Sequence, residues 1–381
     1  MTVALRRWPV LATAALLAAI VAVALLPYRG NVTALFHLDD VLASRHEMPE
    51  GFVVLQVPAY DGAQYYQMAR NMPLIFSGDW EPLRELPPGS YAYQRFLLPL
   101  VAWIVAFGQE PLLPYAFLLI NVLALIATAA VALKSSKGKG LYALAFAFCP
   151  SAMVALHFML AEPLALLAIA LFLQRYVKQE RIGWVEVLLL TLLALSREVN
   201  ILFIALLFVY VVGRKRWKDV ALMLIPIAGF LALHGLIYAI FKEIPFLESA
   251  DKRTFPLQAI WELLTGVYGY NRLTLSSIPL FLFFVLPGFV WTVRHIAKRR
   301  DFTFLPLATL AFLGLMLTMP DHIWGSITSI GRVITPVYPL FLTLAAKEDT
   351  WPARLISAGV LLLGLAAAFG LALLPHPFIL A

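Results

Sequence analysis

The residues with the clearest chemical potential lie in one polar stretch that follows the first long apolar segment. Residues 60–70 read YDGAQYYQMAR, and residues 91–95 read YAYQR. A segment that only connects two helices has little need for tyrosines, amides, a carboxylate and arginines so close together. A carboxylate such as Asp61 can act as a general base on a hydroxyl group within hydrogen-bonding distance. The alternative, which position alone favours, is that Asp61 caps the following helix.

The spacing after Asp61 predicts a short surface helix. Tyr65, Met68 and Ala69 fall on one helical face, because positions three and four apart lie above one another. Gly62 would let the backbone turn tightly beside the carboxylate. The sequence therefore predicts that a small helical element carries the candidate base.

A second signal is charge beside or within apolar segments, at Glu162, Arg197, Glu198 and Arg332. Ionisable groups at membrane depth are costly and usually face a cavity or pair with one another. Arg332 is suited to grip a lipid-linked phosphate with two hydrogen bonds. Two other interpretations stay open. Arg332 can reach outward to lipid headgroups, and Arg197 and Glu198 can form a buried structural ion pair with each other or with Glu162.

The composition indicates the environment in which these residues lie. The chain has 381 residues, of which 62% are hydrophobic and 13% are charged, and its mean hydropathy is +0.84. A soluble domain carries roughly a quarter charged residues. The apolar runs are continuous and lack a period of two, so they predict helices rather than a barrel. We therefore expect an all-α integral membrane protein that forms one polytopic domain over residues 1–381.

The apolar runs predict about eleven transmembrane helices, although several are shorter than the roughly 20 residues that a perpendicular span needs. The runs are 8–27, 112–133, 140–159, 161–177, 183–196, 198–213, 219–241, 278–294, 303–319, 332–346 and 353–375.

The basic residues predict the topology. They form clusters at 134–139, 175–181, 214–218, 294–300 and 347–354. If the additional run 96–107 crossed the membrane, the N-terminal arginines would lie on the opposite side from the basic clusters. We therefore interpret that run as an interfacial or half-inserted helix, which leaves all the basic residues on one side. The positive-inside rule makes that side cytoplasmic. The expected location is the inner membrane, with the N-terminus inside and the C-terminus outside. The net charge of +7 belongs to these clusters, and no nucleic acid is expected as a partner.

Three longer external segments follow from this topology, namely 28–111 with its interfacial helices, 242–277 and 320–331. The short turns 161–163 and 196–198 also lie on the external side. Trp324 is expected to be an interfacial anchor. His157 and His234 lie in apolar runs and are expected to be hydrogen-bonded structural residues, and Cys149 is expected to be a buried, inert thiol.

The order of these elements resembles the GT-C superfamily of membrane glycosyltransferases. The resemblance rests on a first helix, a long external loop with an aspartate, an interfacial helix, and short helices joined by charged outer turns. More narrowly, the sequences Tyr60-Asp61-Gly62 and Tyr93-Gln94-Arg95 resemble bacterial members that are distantly similar to the GPI mannosyltransferases. The turns Glu162-Pro163-Leu164 and Ser196-Arg197-Glu198 fit that pattern, as does Arg332 with Pro336 and Pro339.

The resemblance implies an inverting transfer of a sugar from a polyprenyl-phosphate donor to an unknown acceptor on the external face. Asp61 matches the loop aspartate that activates the acceptor, and Arg332 matches the arginine associated with the lipid phosphate. The turn 158–161 lacks the charged residue that such proteins often have there. The residues expected to bind substrate are Tyr60, Gln64, Tyr65, Tyr93, Arg95, Glu162, Arg197, Glu198 and Arg332.

The expected partners are the lipid-linked donor and membrane lipids, and no cofactor is expected. The carboxylates Asp39, Asp40 and Asp61 lack a recognised metal-binding spacing, so a divalent cation has no support. Two alternative functions stay open, a transporter or lipid flippase for envelope glycan precursors and a non-catalytic membrane scaffold, which would tolerate the loss of both Asp61 and Arg332. A transporter would place its charges near the bilayer midplane and show paired broken helices in matching halves, and no internal repeat is evident.

Overall fold

The computed structural model describes residues 3–44, 48–55, 60–86, 88–245, 258–265, 277–324, 326–333 and 335–373. Its helices up to residue 157 are α1 (Val3–Leu25), α2 (Asp40–Ser44), α3 (Asp61–Arg70), α4 (Met72–Ser77), α5 (Glu81–Glu85), α6 (Leu97–Val105), α7 (Leu113–Ser135), α8 (Gly140–Ala147) and α9 (Pro150–His157). The following helices are α10 (Glu162–Gln179), α11 (Trp184–Ser196), α12 (Ile201–Gly213), α13 (Trp217–Phe241), α14 (Gln258–Thr265), α15 (Ser277–Arg299), α16 (Phe304–Met316), α17 (Asp321–Trp324), α18 (Ile327–Val333), α19 (Val337–Glu348) and α20 (Trp351–Leu373).

The fold is an all-α membrane fold, as the composition predicts. Five helical segments are individually long and apolar enough to cross a membrane, and two bent helix pairs raise the number to seven. The five are Trp8–Tyr28, Glu110–Ser135, Trp217–Phe241, Ser277–Arg299 and Trp351–Leu373. Other predicted runs form shorter apolar helices, among them α11 and α16, so the number of eleven crossings stays a prediction. The described strands are one short parallel pair, β1 (Leu38–Asp39) with β2 (Val54–Leu55).

Two runs that the sequence predicts as single helices are each divided in two. The run 140–159 bends by 41° between α8 and α9. The cause is Pro150, because the residue before a proline avoids the helical region, and Cys149 is extended with φ −64° and ψ 157°. The run 332–346 divides in the same way before α19, where Pro336 precedes the helix.

Gly364 of α20 lies against the break between α8 and α9. A methyl group built on Gly364 would lie 1.5 Å from the carbonyl oxygen of Phe148. Only glycine allows two backbones to approach so closely. Cys149 is fully buried at this junction, as expected.

The basic clusters lie together at one end of the helices, which we call the basic face. Three contacts join loops there: Lys139 with Asp349 at 2.9 Å, Lys347 with Asp301 at 3.8 Å, and Arg214 with the carbonyl oxygen of Phe302 at 3.0 Å. The start of α1 packs at the same end, because a methyl group on Gly140 would lie 2.9 Å from the Trp8 ring. Which side of the membrane this face occupies stays a prediction.

The run 96–107 contains α6, which has nine residues and a length of about 14 Å. It is too short to cross a hydrocarbon core of about 30 Å. Phe107, just after the helix, exposes 83% of its surface, which suits the predicted position at the membrane interface.

Two predictions about single residues need correction. Trp324 is not an interfacial anchor, because its ring is fully buried and its Nε1 donates to the carbonyl oxygen of Met316 at 3.1 Å. His157 is buried, but its Nε2 has no hydrogen-bond partner among the described residues. His234 is hydrogen-bonded as expected, since its ring nitrogens lie 3.0 Å from the Phe230 carbonyl oxygen and 3.3 Å from Gln94 Oε1.

Of the predicted external segments, most of 242–277 lies outside the described residues, and α14 is its principal described element. The segment 320–331 is not an open loop, because it contains α17 and most of α18. The segment 28–111 packs its helices α3 and α6 against the start of α7, around a buried cluster that includes Tyr65, Met68 and Phe117.

Candidate functional site

Asp61 is the first residue of α3, and Tyr60 precedes the helix in an extended conformation. Gly62 packs this helix end directly against the end of α9. A methyl group on Gly62 would lie 2.1 Å from the carbonyl oxygen of Phe158. The glycine is therefore needed for a close approach between two backbones, rather than for the tight turn that the sequence suggested.

Two arginines hold the Asp61 carboxylate. Arg95 forms an ion pair with Oδ2, and Nη1 of Arg332 lies 2.8 Å from the same oxygen. Charge-assisted hydrogen bonds of this kind are about twice as strong as neutral ones. Within the described part of the chain, no hydrogen-bond donor reaches Oδ1. Side chains from distant elements thus bind the carboxylate, and Asp61 does not act as a cap of the following helix.

Arg95 is itself held on several sides by polar groups. Its Nε and Nη2 donate to the two carboxylate oxygens of Glu198 at 3.0 and 2.9 Å. Its Nη2 also donates to the hydroxyl of Tyr91 at 2.8 Å, and its Nη1 lies 3.4 Å from the hydroxyl of Tyr65. These contacts fix the orientation of the guanidinium group that faces Asp61.

Arg332 points into the protein. Its Nε donates to the carbonyl oxygen of Thr328 at 3.0 Å, and its Nη1 lies 3.6 Å from Glu162 Oε1. The guanidinium carbon lies 4.9 Å from the centre of the Tyr60 ring, within the range of a cation–π interaction. The alternative in which Arg332 reaches outward to headgroups is therefore wrong for this conformation.

Arg197 and Glu162 form a buried ion pair. Nη1 of Arg197 also donates to the main-chain carbonyl oxygen of Arg332 at 3.0 Å. Nε of Arg197 and Oε2 of Glu162 are buried and have no hydrogen-bond partner in the described structure. Of the two ion pairs that the sequence left open, Arg197 thus forms the one with Glu162. Glu198 pairs with Arg95 instead of Arg197.

Together these side chains form a continuous series of alternating charges, which we call the charge network. Its order is Glu198, Arg95, Asp61, Arg332, Glu162 and Arg197. Three arginines and three carboxylates give a formal net charge of zero. Removing so many charges from water is costly, and such groups in membrane proteins mark functional sites by default.

The charge network determines the protonation state of Asp61. Burial alone would raise the pKa of this carboxyl group, but the guanidinium groups of Arg95 and Arg332 outweigh burial and hold the pKa well below its ordinary value. Asp61 is therefore ionised at neutral pH. Burial also raises the pKa of the Tyr65 hydroxyl, which consequently stays protonated beside Arg95.

The structure places two further predicted residues outside the charge network. Gln64 is half-buried on α3. The Tyr93 hydroxyl lies 3.5 Å from Nδ2 of Asn71, and its ring centre lies 5.0 Å from that of Phe241. Among the described residues, no hydrogen bond joins Gln64 or Tyr93 to the six charged residues.

Sequence reasoning missed three contributors to the site. Tyr91 binds Arg95 from four residues upstream, and its place in the motif Tyr-Ala-Tyr-Gln-Arg was a usable signal. Phe158 stacks on Tyr60, with ring centres 4.1 Å apart. Thr328 acts through its carbonyl oxygen, which accepts from Tyr60 at 3.2 Å as well as from Arg332. A main-chain contact leaves no signal in residue types.

The described residues contain no group of three histidine, cysteine, aspartate or glutamate side chains placed to hold a metal ion. Asp39 and Asp40 accordingly do not join Asp61 in such a group. The carboxylates of the charge network are occupied by arginines. That the protein works without a metal stays a prediction.

A solved structure shares this architecture. It is the crystal structure of ArnT from Cupriavidus metallidurans bound to undecaprenyl phosphate, and the TM-score is 0.52. The similarity covers 96% of this chain and 76% of that chain, at 13% sequence identity. The fold of ArnT is the all-helical membrane fold called GT-C. This chain is thus a multi-pass membrane protein with the GT-C fold, and the resemblance of its sequence is confirmed at the level of the fold.

Sequence comparisons add nothing to this result. No protein-family model matches the chain, and no curated protein sequence matches it.

Proposed function

We propose that this protein is a glycosyltransferase that moves a sugar from a polyprenyl-phosphate donor to a hydroxyl group of an acceptor. The observation that carries the proposal is the state of Asp61, which is ionised and held at one oxygen by two arginines while its other oxygen accepts no hydrogen bond from the described residues. The GT-C fold supports the same activity, since the structurally similar ArnT binds undecaprenyl phosphate.

Asp61 acts as the general base in this proposal. Its Oδ1 takes the proton from the acceptor hydroxyl as the hydroxyl oxygen attacks the anomeric carbon. Direct attack from the side opposite the phosphate inverts the configuration at that carbon. Arg95 and Arg332 fix the carboxylate, so that no reorganisation is needed when the acceptor arrives.

Arg332 serves both the base and the donor. Its guanidinium group offers several donors in a fixed plane, which suits a phosphate. We assign the phosphate of the donor to Arg332, with Arg197 and Glu162 holding Arg332 in position. Tyr60 and Gln64 are partly exposed and are assigned to the walls that receive the sugar or the acceptor. Tyr65 and Tyr93 are buried and are assigned to the support of those walls.

The charge at the site stays constant during the step. A polyprenyl-phosphate sugar is a phosphodiester with one negative charge. When the bond between the anomeric carbon and the phosphate oxygen breaks, its electron pair stays on the phosphate, which gains a negative charge. Asp61 loses one negative charge as it takes the acceptor proton. The charge network, which includes Asp61, therefore changes from zero to +1 as the phosphate changes from −1 to −2, and this positive charge stabilises the developing phosphate charge.

The position of the charge network favours an enzyme over a transporter. α10 begins at Glu162 in the network and ends at Gln179 on the basic face, over 18 residues or about 27 Å. The network therefore lies at one end of the helices, whereas transporter sites lie near the membrane midplane. We place the reaction at the end opposite the basic face, which the positive-inside rule assigns to the periplasm.

The experiment compares envelope glycans by mass spectrometry in a strain that lacks the gene and in complemented strains. We expect one glycan to disappear in the deletion strain and to return with the wild-type protein. Asp61→Asn should not restore it. Asp79→Asn changes an exposed carboxylate in the same external segment and should restore it fully. Restoration by Asp61→Asn at normal protein levels would remove Asp61 as the base.

A second arm tests the donor in vitro. The purified protein in liposomes is given polyprenyl-phosphate carrying a radiolabelled sugar, together with an envelope extract as the acceptor source. We expect label to leave the donor with the wild-type protein and with Asp79→Asn. Transfer from a nucleotide sugar instead of the lipid-linked sugar would contradict the proposed donor.

A further inference from the structure

A groove far from the charge network separates α15 from the start of α20, and its volume is about 510 Å³. One part of its lining is apolar and includes Val290, Trp291, Leu355 and Ile356. Val290 exposes 47% of its surface and Leu355 exposes 59%. Both helices belong to membrane-spanning segments, so these exposed apolar side chains face lipid rather than water.

The other part of the lining is cationic. Arg294, Lys298 and Arg299 extend from the last turns of α15, and Glu348 is the one carboxylate of the lining. Arg299 lies 3.7 Å from Glu348. Arg294 and Lys298 are exposed and form no ion pair with any described residue. The groove therefore carries a surplus of two positive charges, three cations less one anion.

The polar and apolar parts are layered in the same direction on both helices. On α15, Val290 comes about 12 Å before Lys298 at 1.5 Å per residue, and the helix ends on the basic face. Thr350 just before α20 and Pro352 at its start lie on the same face, while Leu355 lies about one turn deeper. The cations and the positive end of the α20 dipole thus lie at the surface, with the apolar walls beneath them.

This layering matches the headgroup and the acyl chain of a phospholipid. A soluble partner or a nucleic acid would use the cationic edge and leave the exposed apolar walls without a contact. A lipid with a neutral headgroup would leave the two surplus charges unmatched. Basic pockets between transmembrane helices on the cytoplasmic side are known to receive anionic headgroups.

We propose that the groove between α15 and α20 binds one anionic glycerophospholipid. The phosphate lies between Arg294 and Lys298 at the start of α20, and an acyl chain lies along Val290, Trp291 and Leu355. This site is separate from the charge network and does not depend on the proposed glycosyl transfer.

The test is native mass spectrometry of the full-length protein in detergent, titrated with phosphatidylglycerol or with phosphatidylcholine of the same acyl chains. We expect the wild-type protein to bind one phosphatidylglycerol in preference. The double variant Arg294→Gln/Lys298→Gln should bind it roughly thirtyfold more weakly, given the usual contribution of each basic residue near an anionic lipid. Binding of phosphatidylcholine should not change.

The matched control is Lys215→Gln/Lys218→Gln, which removes two exposed charges elsewhere on the basic face. It should bind phosphatidylglycerol like the wild type. A second variant, Leu355→Trp, fills the groove without changing its charge and should also weaken binding. Equal binding of the two lipids, full binding by the groove variants, or an equal loss in the control would each overturn the proposal.

Discussion

Arg332 and Asp61 are 271 residues apart in the chain, and Nη1 of the arginine lies 2.8 Å from Oδ2 of the aspartate. One ion pair thus joins the proposed phosphate ligand to the proposed base. A donor phosphate that binds Arg332 must share it with Asp61 or displace Asp61 from it. Donor binding and the state of the base are therefore coupled through a single guanidinium group.

Replacement of Arg332 by Gln should weaken use of the donor. A hydrogen bond to a charged group contributes about 2 kcal/mol, so we expect the KM for the donor to rise roughly thirtyfold. The measurement is a donor titration in liposomes. Arg29→Gln, at an exposed position of the same external segment, is the control and should leave the KM unchanged. An unchanged KM for Arg332→Gln would exclude its proposed role.

The pH dependence of the reaction should reveal the arginines around Asp61. Burial raises the pKa of Asp61 and the arginines lower it more strongly, so the wild-type base stays ionised well below pH 7. The double variant Arg95→Gln/Glu198→Gln removes one cation and one anion together. The pKa of Asp61 then rises, and the base becomes protonated at a higher pH.

We expect the acidic limb of the kcat/KM profile to move upward by about one pH unit or more in this variant, since one neighbouring charge shifts a carboxyl pKa by that amount. Arg84→Gln/Glu85→Gln makes the same change at exposed positions and should leave the profile in place. A limb that does not move would mean that Arg95 does not control the protonation of the base.

Gly62 should tolerate no side chain. In Gly62→Ala the new methyl group would lie 2.1 Å from the Phe158 carbonyl oxygen, and α3 would have to move away from α9 with Asp61 at its first position. We expect activity to fall at least tenfold, because small displacements of catalytic groups have large effects on rate. Gly89→Ala, where nothing lies within 4 Å, should keep full activity. Wild-type activity in Gly62→Ala would show that this contact does not position Asp61.

Glu162 should be important for stability as well as for the site. Glu162→Gln leaves the buried Arg197 without its carboxylate, and breaking a buried ion pair from one side costs about 3 to 5 kcal/mol. We expect a clear decrease in the melting temperature of the purified protein. Glu85→Gln removes an exposed carboxylate and should melt like the wild type. Equal melting of both variants would show that the Arg197–Glu162 pair contributes nothing to stability.

Several parts of the fold were predictable because they depend on local or summed properties. Long apolar runs and the distribution of lysine and arginine predict an all-α membrane protein with clustered loops on one face. The spacing of Tyr65, Met68 and Ala69 predicts α3, and these side chains are buried as expected. The breaks at Cys149 and Pro336 were missed because the apolar runs continue through them.

Particular residues also show where local reasoning ends. Trp324 lies in a predicted external segment and looks like an interfacial anchor, yet the fold buries it against the end of α16. Gly62 looks like a turn residue, but glycine is required there because the main chain of Phe158, nearly a hundred positions away, leaves no room for a side chain. In both cases the deciding neighbour lies on another element and has no local signature.

The sequence by itself determined that this protein lies in a membrane, because hydrophobicity and charge act residue by residue and their effects add up along the chain. It also determined which types of residue are available to the site. The tertiary structure alone decided which charges meet. Asp61, Arg95, Glu198, Arg197, Glu162 and Arg332 come from five separate places in the chain, and only the packing of α3 against α9, and of α10 and α18 around them, brings their charges within a few ångströms. Buried ions of opposite sign interact strongly only at such distances, so the alternation that keeps Asp61 ionised is a property of the fold.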